Sequence, residues 1–393
     1  MKILIITPTY APAWKFGGTV AAMTQLAHAL NSHENVSVTV YTTNASAEEK
    51  KLDVDMGVPI KVEGVTTFYF DCGRWNNSAF YSADMINNLD KNIHKFDIVY
   101  ISAMWQSLGY KSAKICIKNK IPYVMGIHGS FSKELRQKSK LKKEIYHKFL
   151  LKPILKKAKA IHVTGEQEIK DSGGWLNNYE PIKVPNIINN EKYYIIDDNT
   201  VKQNFKRNYD IPEQAKVIVT VCRPDWMKRV DILLESIQDN DDYYLVYVGN
   251  EDSSIVDEWK DRAKELGIND RFVCTGELRG EDLIIAYNSA DLFSLISSNE
   301  NFSMVVAEAM LCGTPVLISK EVGVGEYLEN NPYAVITNLN KDQISFELNK
   351  TLQQDFEKEN VRESILDLFS EKHLVSVFIE AFQRILSKKD RVA

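Results

Sequence analysis

The sequence predicts an α/β protein with two doubly wound domains, each built on a parallel sheet covered by helices. The chain has 393 residues, which is more than one hydrophobic core usually serves. Short apolar runs, typical of strands buried on both faces, alternate with segments of helical periodicity. This alternation occurs in two series, separated by a stretch with few periodic apolar residues, so two domains in tandem are expected.

Composition limits the class of protein. Hydrophobic residues make up 44% of the chain and charged residues 26%, as in ordinary folded proteins. A net charge of −5 argues against a nucleic-acid-binding protein. The five cysteines lack CxxC spacing, which indicates neither a zinc site nor a disulfide framework. Residues 1–8 resemble no secretion signal and no apolar stretch approaches the ~20 residues needed to span a bilayer, so we expect a cytoplasmic protein with at most peripheral membrane contact.

The first series opens with an apolar run almost at the N-terminus. A glycine-containing loop follows it, then a periodic segment and a second apolar run, which together predict a βαβ unit. The predicted strands of this series are 3–7, 36–42, 97–102, 123–127 and 160–164, and the predicted helices are 19–30 and 112–119.

The second series repeats the pattern. Its predicted strands are 217–221, 244–248, 271–275, 292–296 and 315–319, and its predicted helices are 230–237, 255–266, 283–288 and 304–312. Residues 181–199 contain Pro185 and several asparagines, and we interpret them as an interdomain linker. The expected domains are 1–188 and 189–370, with an amphipathic helix in 371–393 that packs back towards the first domain.

Residues 298–316 contain two carboxylates around a predicted helix start. Ser303 is the expected N-cap and Gly313 the expected helix terminator. A helix N-terminus at the carboxyl edge of a parallel sheet presents free N–H groups that suit a phosphate. Glu300 lies just before the helix and Glu308 within it, so the two could accept hydroxyl groups at the two ends of a nucleotide sugar.

Three further motifs lie where predicted strands end. Arg223 and Lys228 follow one strand, Gly17 and Gly18 lie between the first strand and helix, and His128 follows another strand. Taken alone, these residues are more often surface cations, turn glycines and a structural histidine. Cys222 precedes Arg223, and we expect it to pack rather than react.

The window at residues 298–316 resembles the signature of the retaining glycosyltransferase family 4. Glu300, seven residues and Glu308 precede an Ala-Met-x-x-Gly-x-Pro-Val run, as in that family. The resemblance implies the GT-B fold, with two Rossmann-like domains and an interdomain cleft. It also implies retaining, metal-independent transfer of a sugar from a nucleotide diphosphate sugar, without a cofactor, and a UDP-sugar is the favoured donor.

The same resemblance implies roles for individual residues. Glu300 would contact the transferred sugar and Glu308 the ribose, while Arg223 and Lys228 would bind the diphosphate and, with Glu300 and His128, form the catalytic set. His128 would face the donor sugar. The residues expected to bind the donor are Gly17, Gly18, Arg223, Lys228, Glu300, Asn301, Phe302, Ser303, Met304 and Glu308. The chain departs from the family in having Asn301-Phe302-Ser303 where Gly-Phe-Gly is common, and Cys222 where glycine is usual.

A strongly basic segment runs from Lys133 to Lys159. It predicts either a basic amphipathic helix that lies on an anionic membrane or a solvated helix face. Its cations are Lys133, Arg136, Lys138, Lys140, Lys142, Lys143, Lys148, Lys152, Lys156, Lys157 and Lys159, against Glu134 and Glu144. Under the membrane interpretation the acceptor would be a glycan or lipid-linked oligosaccharide in bacterial surface polysaccharide synthesis.

Two alternatives remain open from the sequence. One is a sugar-nucleotide epimerase of the same fold, which would use a donor without an acceptor, and the other is a non-catalytic sugar-nucleotide-binding protein. The sequence determines neither the base and sugar of the donor, nor the acceptor and its linkage, nor the oligomeric state. It also leaves open whether transfer is a front-face reaction or passes through a covalent intermediate.

Overall fold

A computed structural model of the chain describes residues 1–47, 51–73, 80–137 and 139–389. The chain divides into two compact units, which we call unit 1 (residues 1–187 together with the segment from residue 371) and unit 2 (residues 188–370). The division falls between residues 187 and 188, next to the expected boundary between 188 and 189.

Unit 1 contains an eight-stranded sheet in the order β3-β4-β2-β1-β5-β6-β7-β8. All neighbouring strands are parallel except the β3–β4 pair. The strands are β1 (Lys2–Ile6), β2 (Ser37–Thr43), β3 (Pro59–Val62), β4 (Val65–Phe70), β5 (Ile98–Ile101), β6 (Tyr123–Gly126), β7 (Ala160–Val163) and β8 (Pro181–Lys183).

The helices of unit 1 connect these strands. They are α1 (Gly18–Ser32), α2 (Ala83–Asn92), α3 (Ser107–Lys118), α4 (Lys133–Gln137), α5 (Lys140–Tyr146), α6 (Lys152–Leu155), α7 (Glu166–Asp171) and the C-terminal α15 (Glu371–Lys389), with a π-helical turn at His147–Leu151. Phe378 and Phe382 of α15 are fully buried within unit 1.

Unit 2 contains a six-stranded, wholly parallel sheet in the order β11-β10-β9-β12-β13-β14. Its strands are β9 (Lys216–Val221), β10 (Tyr243–Val248), β11 (Phe272–Cys274), β12 (Leu292–Leu295), β13 (Val316–Ser319) and β14 (Ala334–Thr337). Its helices are α8 (Asn199–Asn208), α9 (Val230–Ile237), α10 (Ser254–Glu265), α11 (Glu281–Ser289), α12 (Met304–Leu311), α13 (Lys341–Leu352) and α14 (Lys358–Leu366).

The predicted fold class is confirmed, because both units are parallel sheets with helical connections. The central strands β1, β9 and β12 consist of the apolar runs that predicted them, and their interior side chains are fully buried. The prediction did not include strand β14 or the helices α2, α7, α8, α13 and α14, and two further differences have a physical reason in the structure. The β3–β4 hairpin was missed because no side chain of β3 is buried and partly exposed residues interrupt the buried ones of β4, so neither strand is a continuous apolar run.

The second difference concerns the predicted linker at residues 181–199. Its first three residues form β8, which pairs with β7 at the edge of the unit 1 sheet. Pro181 is tolerated there because an edge strand leaves one row of N–H groups without a sheet partner. Because of its proline and asparagine content, a segment that begins with a short edge strand was interpreted as a linker.

Candidate functional site

In unit 2 the direction of the strand order reverses at the neighbouring strands β9 and β12. From β9 the chain continues outwards to β10 and β11, whereas β12 continues to β13 and β14 on the other side. Such a switch point leaves a crevice at the carboxyl ends of the strands, where open α/β sheets bind ligands. The loops that carry Arg223, Lys228 and Glu300 both leave the sheet at this edge.

The two loops are held together by the carbonyl of Met227. It accepts hydrogen bonds from the Ser298 backbone N–H at 2.7 Å, from the Ser297 hydroxyl at 3.0 Å and from the Ser298 hydroxyl at 3.2 Å. Ser297 in turn receives at its carbonyl a hydrogen bond from the hydroxyl of Ser319 at the end of β13. These bonds fix the loop containing Lys228 against the loop containing Glu300.

Lys228 and Glu300, which the sequence placed at one site, form an ion pair between Nζ and Oε1. Only 12% of the Lys228 side chain and 22% of the Glu300 side chain is exposed. Burial lowers the pKa of Lys228, and nearby Arg223 lowers it further. Arg223 is exposed and has no ion pair with any residue that the structure describes. The switch point thus holds one largely buried cation, which is paired, and one exposed cation without an ion pair in the described structure.

The backbone at Glu300 and Asn301 is fixed by the loop after β13. The Glu300 N–H donates to the Glu321 carbonyl at 3.0 Å, and the Gly323 N–H donates to the Glu300 carbonyl at 2.9 Å. A Cβ at Gly323 would lie 2.0 Å from the Asn301 carbonyl oxygen, so only glycine allows this approach. Phe302 is buried and its ring lies edge-on to that of Phe369, with the ring centroids 5.8 Å apart, so this packing anchors the loop.

Ser303 is the N-cap of α12, as predicted, but its side chain does not cap the helix. Ser303 occupies the N-cap position, but its hydroxyl makes no capping bond and its backbone has φ 73° and ψ 84°. A side-chain cap requires extended backbone at the N-cap, which this left-handed conformation does not provide. The N–H groups at the start of α12, which begins at Met304, therefore have no side-chain cap and are available to an anion.

Glu308 lies one turn into α12 and is 7% exposed. Its Oε2 accepts a hydrogen bond from the Tyr287 hydroxyl at 3.0 Å, and Tyr193 also hydrogen-bonds to the carboxylate. Burial raises the pKa of Glu308, and the two tyrosine hydrogen bonds act in the opposite direction. A carboxylate has about four acceptor positions, so Glu308 can still accept from the hydroxyls of a ligand.

The two tyrosines around Glu308 were missed by the sequence reasoning. Tyr193 lies in the predicted linker, and its carbonyl accepts a bond from Arg362, which fixes this segment to unit 2. Tyr287 lies at the buried face of α11. A tyrosine pair in a segment otherwise rich in asparagine was the available signal for the first of them.

In unit 1 the glycine loop lies between β1 and α1. Gly17 is the N-cap of α1 and has φ 79° and ψ −145°, a backbone conformation that residues other than glycine rarely adopt. Gly18 is the first residue of the helix, and a Cβ there would meet no atom within 4 Å. The structure therefore requires glycine at position 17 and only permits it at position 18.

His128 follows β6, also at the carboxyl edge of its sheet, and has φ 46°. Its Nε2 lies 2.7 Å from the Tyr100 hydroxyl, which lies 2.6 Å from Nδ1 of His162. Nε2 of His162 lies 2.9 Å from the Val184 carbonyl oxygen. Burial lowers the pKa of His128 to about 3, so the ring is neutral at pH 7.

The turn at His128 is supported by a buried carboxylate that the sequence reasoning missed. Glu168, on α7, accepts hydrogen bonds from the backbone N–H groups of Gly129 and Thr164 and from the Thr164 hydroxyl. Burial raises its pKa, and these hydrogen bonds act in the opposite direction. A glutamate with only 4% exposure is rarely tolerated without such partners, so its role is to hold the turn.

The basic segment is not the single helix that was predicted. Its described residues form α4, α5, the π-helical turn and α6, while Lys138 lies outside the described residues. Its apolar residues divide between two faces. The buried residues are Leu151, Ile154 and Leu155, and the exposed residues are Leu141, Ile145 and Phe149, with exposures of 75%, 52% and 64%.

Neither metal-binding nor membrane-spanning elements are found in the described part of the chain. No three His, Cys, Asp or Glu side chains form a cluster that could hold a metal ion there. None of the helices in that part combines the length and apolar character needed to cross a bilayer. All five cysteines are free thiols, and burial raises the pKa of Cys222 to about 11, as expected for a packing residue.

Comparison with known proteins defines the class to which this fold and site belong. Residues 16–185 match the family model "Glycosyltransferase Family 4" and residues 201–365 match "Glycosyl transferases group 1". An uncharacterized glycosyltransferase of Methanocaldococcus jannaschii is 24% identical over 98% of both chains. D-inositol 3-phosphate glycosyltransferase of Salinispora tropica is 30% identical over 33% of this chain and 30% of its own length.

Solved structures show the same architecture. Sucrose-phosphate synthase from Thermosynechococcus elongatus has a TM-score of 0.73 at 16% identity, covering 98% of this chain and 99% of that one. Anabaena HepE in complex with UDP and glucose has a TM-score of 0.73 at 16% identity, covering 98% and 100%. The fold is thus that of the GT-B class. The chain belongs to glycosyltransferase family 4 and is a glycosyltransferase.

Proposed function

We propose that this glycosyltransferase moves a sugar from a nucleotide diphosphate sugar, with a UDP-sugar as the favoured donor, onto a glycan or lipid-linked acceptor. The observation that supports it most strongly is the grouping of Arg223, Lys228 and the uncapped start of α12 at the switch point of unit 2. Two cations and free N–H groups suit a diphosphate. HepE, a structural neighbour that is 16% identical to this chain, was solved in complex with UDP and glucose.

The proposed roles of the residues follow from the place where negative charge develops during sugar transfer. As the bond between sugar and phosphate breaks, negative charge grows on the leaving diphosphate, and fixed cations and N–H groups stabilise it. We propose that Glu300 orients the transferred sugar and that Glu308 accepts the ribose hydroxyls. The acceptor hydroxyl arrives on the face that the diphosphate leaves, so the anomeric configuration is retained.

A panel of nucleoside diphosphates tests the donor assignment. UDP should raise the melting temperature more than ADP, GDP or CDP, because a ligand that binds only the folded state stabilises it by mass action. UMP should be weaker than UDP, since it lacks the second phosphate that the two cations bind. No shift with any nucleoside diphosphate would refute the proposed site.

We further propose that transfer needs no metal ion, because protein cations can neutralise the leaving diphosphate. EDTA should leave the initial rate of sugar transfer unchanged. Loss of activity in EDTA that manganese restores would contradict this. The products also separate the alternatives: an epimerase would convert the donor without an acceptor, and a non-catalytic binding protein would return it unchanged.

The exposed apolar residues of the basic segment support a membrane-associated acceptor. Leu141, Ile145 and Phe149 recur at intervals of four residues, so they lie along one side of the α5 helix and its π-helical continuation, and we call them the apolar stripe. Exposed Lys142 and Lys148 flank the stripe. An interfacial helix combines these features, with apolar residues entering the headgroup region and lysines meeting anionic lipid.

Liposome flotation tests this membrane proposal. The full chain should float with vesicles containing phosphatidylglycerol and remain unbound with phosphatidylcholine alone. Serine at Leu141, Ile145 and Phe149 together should abolish flotation. Phe346→Ser is the matched control, because Phe346 is also 64% exposed but lies on α13 in unit 2. Equal flotation of the triple variant and the wild type would refute the role of the apolar stripe.

A further inference from the structure

The carboxylate of Glu308 in unit 2 lies against two tyrosine hydroxyls. Tyr287, on α11, donates to Oε2 at 3.0 Å, and the hydroxyl of Tyr193 hydrogen-bonds to the same carboxylate. Burial raises the pKa of both tyrosines, so each phenol keeps its proton at pH 7. A phenol that keeps its proton can only donate to a carboxylate, so Glu308 accepts two hydrogen bonds within unit 2.

The two tyrosines are held in place by the backbone around them. The Tyr287 carbonyl accepts a hydrogen bond from the Thr314 hydroxyl at 2.6 Å. Arg362 donates to the Tyr193 carbonyl at 2.5 Å and also to the Leu311 carbonyl at the end of α12. The two tyrosine rings lie edge-on, with centroids 6.4 Å apart. Arg362 thus fixes Tyr193 to the same helix that carries Glu308.

Other titratable and charged groups also lie near Glu308. The exposed ammonium of Lys192 lowers the pKa of Glu308, but less than either tyrosine hydrogen bond does. Cys312, one turn further along, carries no charge at pH 7, because burial raises the pKa of its thiol to about 12. Lys358 and Arg362, on α14, act on this thiol. The tyrosine hydroxyls are therefore the groups that most strongly oppose the effect of burial on Glu308.

The number of hydrogen-bond acceptors limits what Glu308 can bind. An ionised carboxylate has about four acceptor positions, and the two tyrosines occupy two of them. The remaining positions can accept from two neighbouring hydroxyls of a ligand. A protonated carboxyl group loses one of these positions and adds a donor, so it fits a pair of hydroxyls less well.

We infer that Tyr193 and Tyr287 are positioning residues of the nucleotide site, which keep Glu308 an ionised acceptor with two positions open to the 2′- and 3′-hydroxyls of a ribose. This inference rests on the proposed function, in which Glu308 accepts the ribose hydroxyls. The tyrosines act on the nucleotide only through Glu308. Removing either hydroxyl takes a donor from a buried carboxylate, which then binds a proton at higher pH.

Infrared spectroscopy of the ligand-free full chain tests the tyrosines without a nucleotide. A protonated carboxyl group and a carboxylate absorb at different frequencies, and subtracting the spectrum of Glu308→Gln isolates the signal of Glu308. The wild type should show a carboxylate at pH 7. In Tyr193→Phe and in Tyr287→Phe, each compared with the same variant carrying Glu308→Gln, the protonation midpoint should rise by about 1 to 2 pH units. An unchanged midpoint, or a protonated Glu308 in the wild type at pH 7, would overturn the inference.

Calorimetry with UDP, 2′-deoxy-UDP and 3′-deoxy-UDP tests the consequence for the nucleotide. In the wild type each deoxy analogue should bind about tenfold more weakly than UDP, because one acceptor position of Glu308 is left without a donor. In Tyr287→Phe this penalty should fall severalfold. The affinity of the variant for UDP, divided by that of the wild type, should also decrease from pH 8 to pH 6, and this ratio cancels the titration of the phosphate itself. A constant ratio together with an unchanged penalty would overturn the inference.

Tyr243→Phe is the matched control. Tyr243 is another buried tyrosine of unit 2, on β10, and its hydroxyl donates to Oδ1 of Asn349 at 2.9 Å. This variant should keep the wild-type midpoint of Glu308 and the wild-type penalty, and equal changes in it would overturn the inference. A chain that binds no UDP would refute the proposed function and the ribose contact together, whereas the infrared result decides the effect of the tyrosines on Glu308 independently.

Discussion

Arg223 and Lys228 are neighbouring cations in different environments. Lys228 is largely buried and paired with Glu300, whereas Arg223 is exposed. Substituting Arg223 therefore removes a charge without leaving a buried partner unpaired. That makes it the cleaner position at which to test whether the switch point binds a diphosphate.

We predict that Arg223→Ala lowers kcat by about 10²–10³-fold, as for the loss of one group that stabilises developing negative charge. The melting temperature should be nearly unchanged, because Arg223 has no ion pair in the described structure. Steady-state kinetics and thermal denaturation measure the two effects. Arg279→Ala is the control, since Arg279 is an exposed arginine of unit 2 that forms an ion pair with Glu277. An equal loss of activity there would contradict the prediction.

Glu300 affects the diphosphate site through its ion pair with Lys228. In Glu300→Gln, no carboxylate competes with the UDP diphosphate for Lys228. UDP should therefore bind about fivefold more tightly, because an ion pair of this kind contributes about 1 kcal/mol. Sugar transfer should nevertheless be lost, because the sugar contact is gone. Calorimetry with UDP and a transfer assay measure both.

Glu265→Gln serves as the control for this prediction. Glu265 also forms an ion pair, with Arg262, but lies at the end of α10. Its replacement should change neither UDP affinity nor transfer. Weaker UDP binding in Glu300→Gln would show that Glu300 supports the diphosphate site rather than competing with it.

At the scale of elements, the start of α12 combines N–H groups that lack a side-chain cap with an unusual backbone conformation. Ser303 has φ 73°, in the left-handed region that residues other than glycine occupy at a cost. Ser303→Gly should raise the free energy of unfolding by about 0.5–1 kcal/mol, because the strain removed exceeds the added flexibility of the unfolded chain. Urea denaturation measures this change.

Ser253 is the matched comparison, because it is the N-cap of α10 in extended backbone and its side chain accepts from the Ile255 N–H. Ser253→Gly should be neutral or destabilising by a few tenths of a kcal/mol. If both substitutions had the same effect, the left-handed backbone at Ser303 would not be the cause.

In the basic segment, the sequence reveals the charge pattern but not where each helix begins and ends. Its lysines were evident from the sequence, but the apolar residues between them gave no indication of which were buried. The π-helical turn at His147–Leu151 inserts an extra residue into the helical register. Leu151, at the end of this turn, is buried and Phe149, in its middle, is exposed, so the apolar residues lie on two faces and not on the single predicted one.

At the scale of the whole molecule, buried His162 and partly buried His128 make stability depend on pH. Burial lowers the pKa of His128 to about 3 and that of His162 to about 4, whereas an unfolded histidine has a pKa near ~6.5. The unfolded chain therefore binds more protons as the pH falls below ~6.5. The free energy of unfolding should decrease towards pH 4, by up to about 1.4 kcal/mol per pH unit for each histidine.

Urea midpoints between pH 7 and pH 4 measure this dependence. His162→Asn should flatten the slope, because one buried imidazole no longer resists protonation. His94→Gln should leave it unchanged, since His94 is exposed. Identical slopes in the wild type and His162→Asn would contradict the prediction.

The sequence by itself determined the fold class and the positions of the main motifs, because buried parallel strands require continuous apolar runs and the carboxylate, cation and glycine motifs follow those runs directly. It did not reveal β8, whose residues read as a linker, or the conformation of Ser303. Local propensity does not report either feature, since both depend on contacts made elsewhere in the chain.

Only the tertiary structure decided which distant residues meet. The ion pair of Lys228 with Glu300 joins loops separated by 72 positions in the sequence, because β9 and β12 are neighbours in the sheet. The hydrogen bonds of Tyr100 with His128 and His162 likewise join residues of three adjacent strands or of the loop that follows one of them. Strand order and register create these contacts, and neither can be deduced from the spacing of residues along one chain.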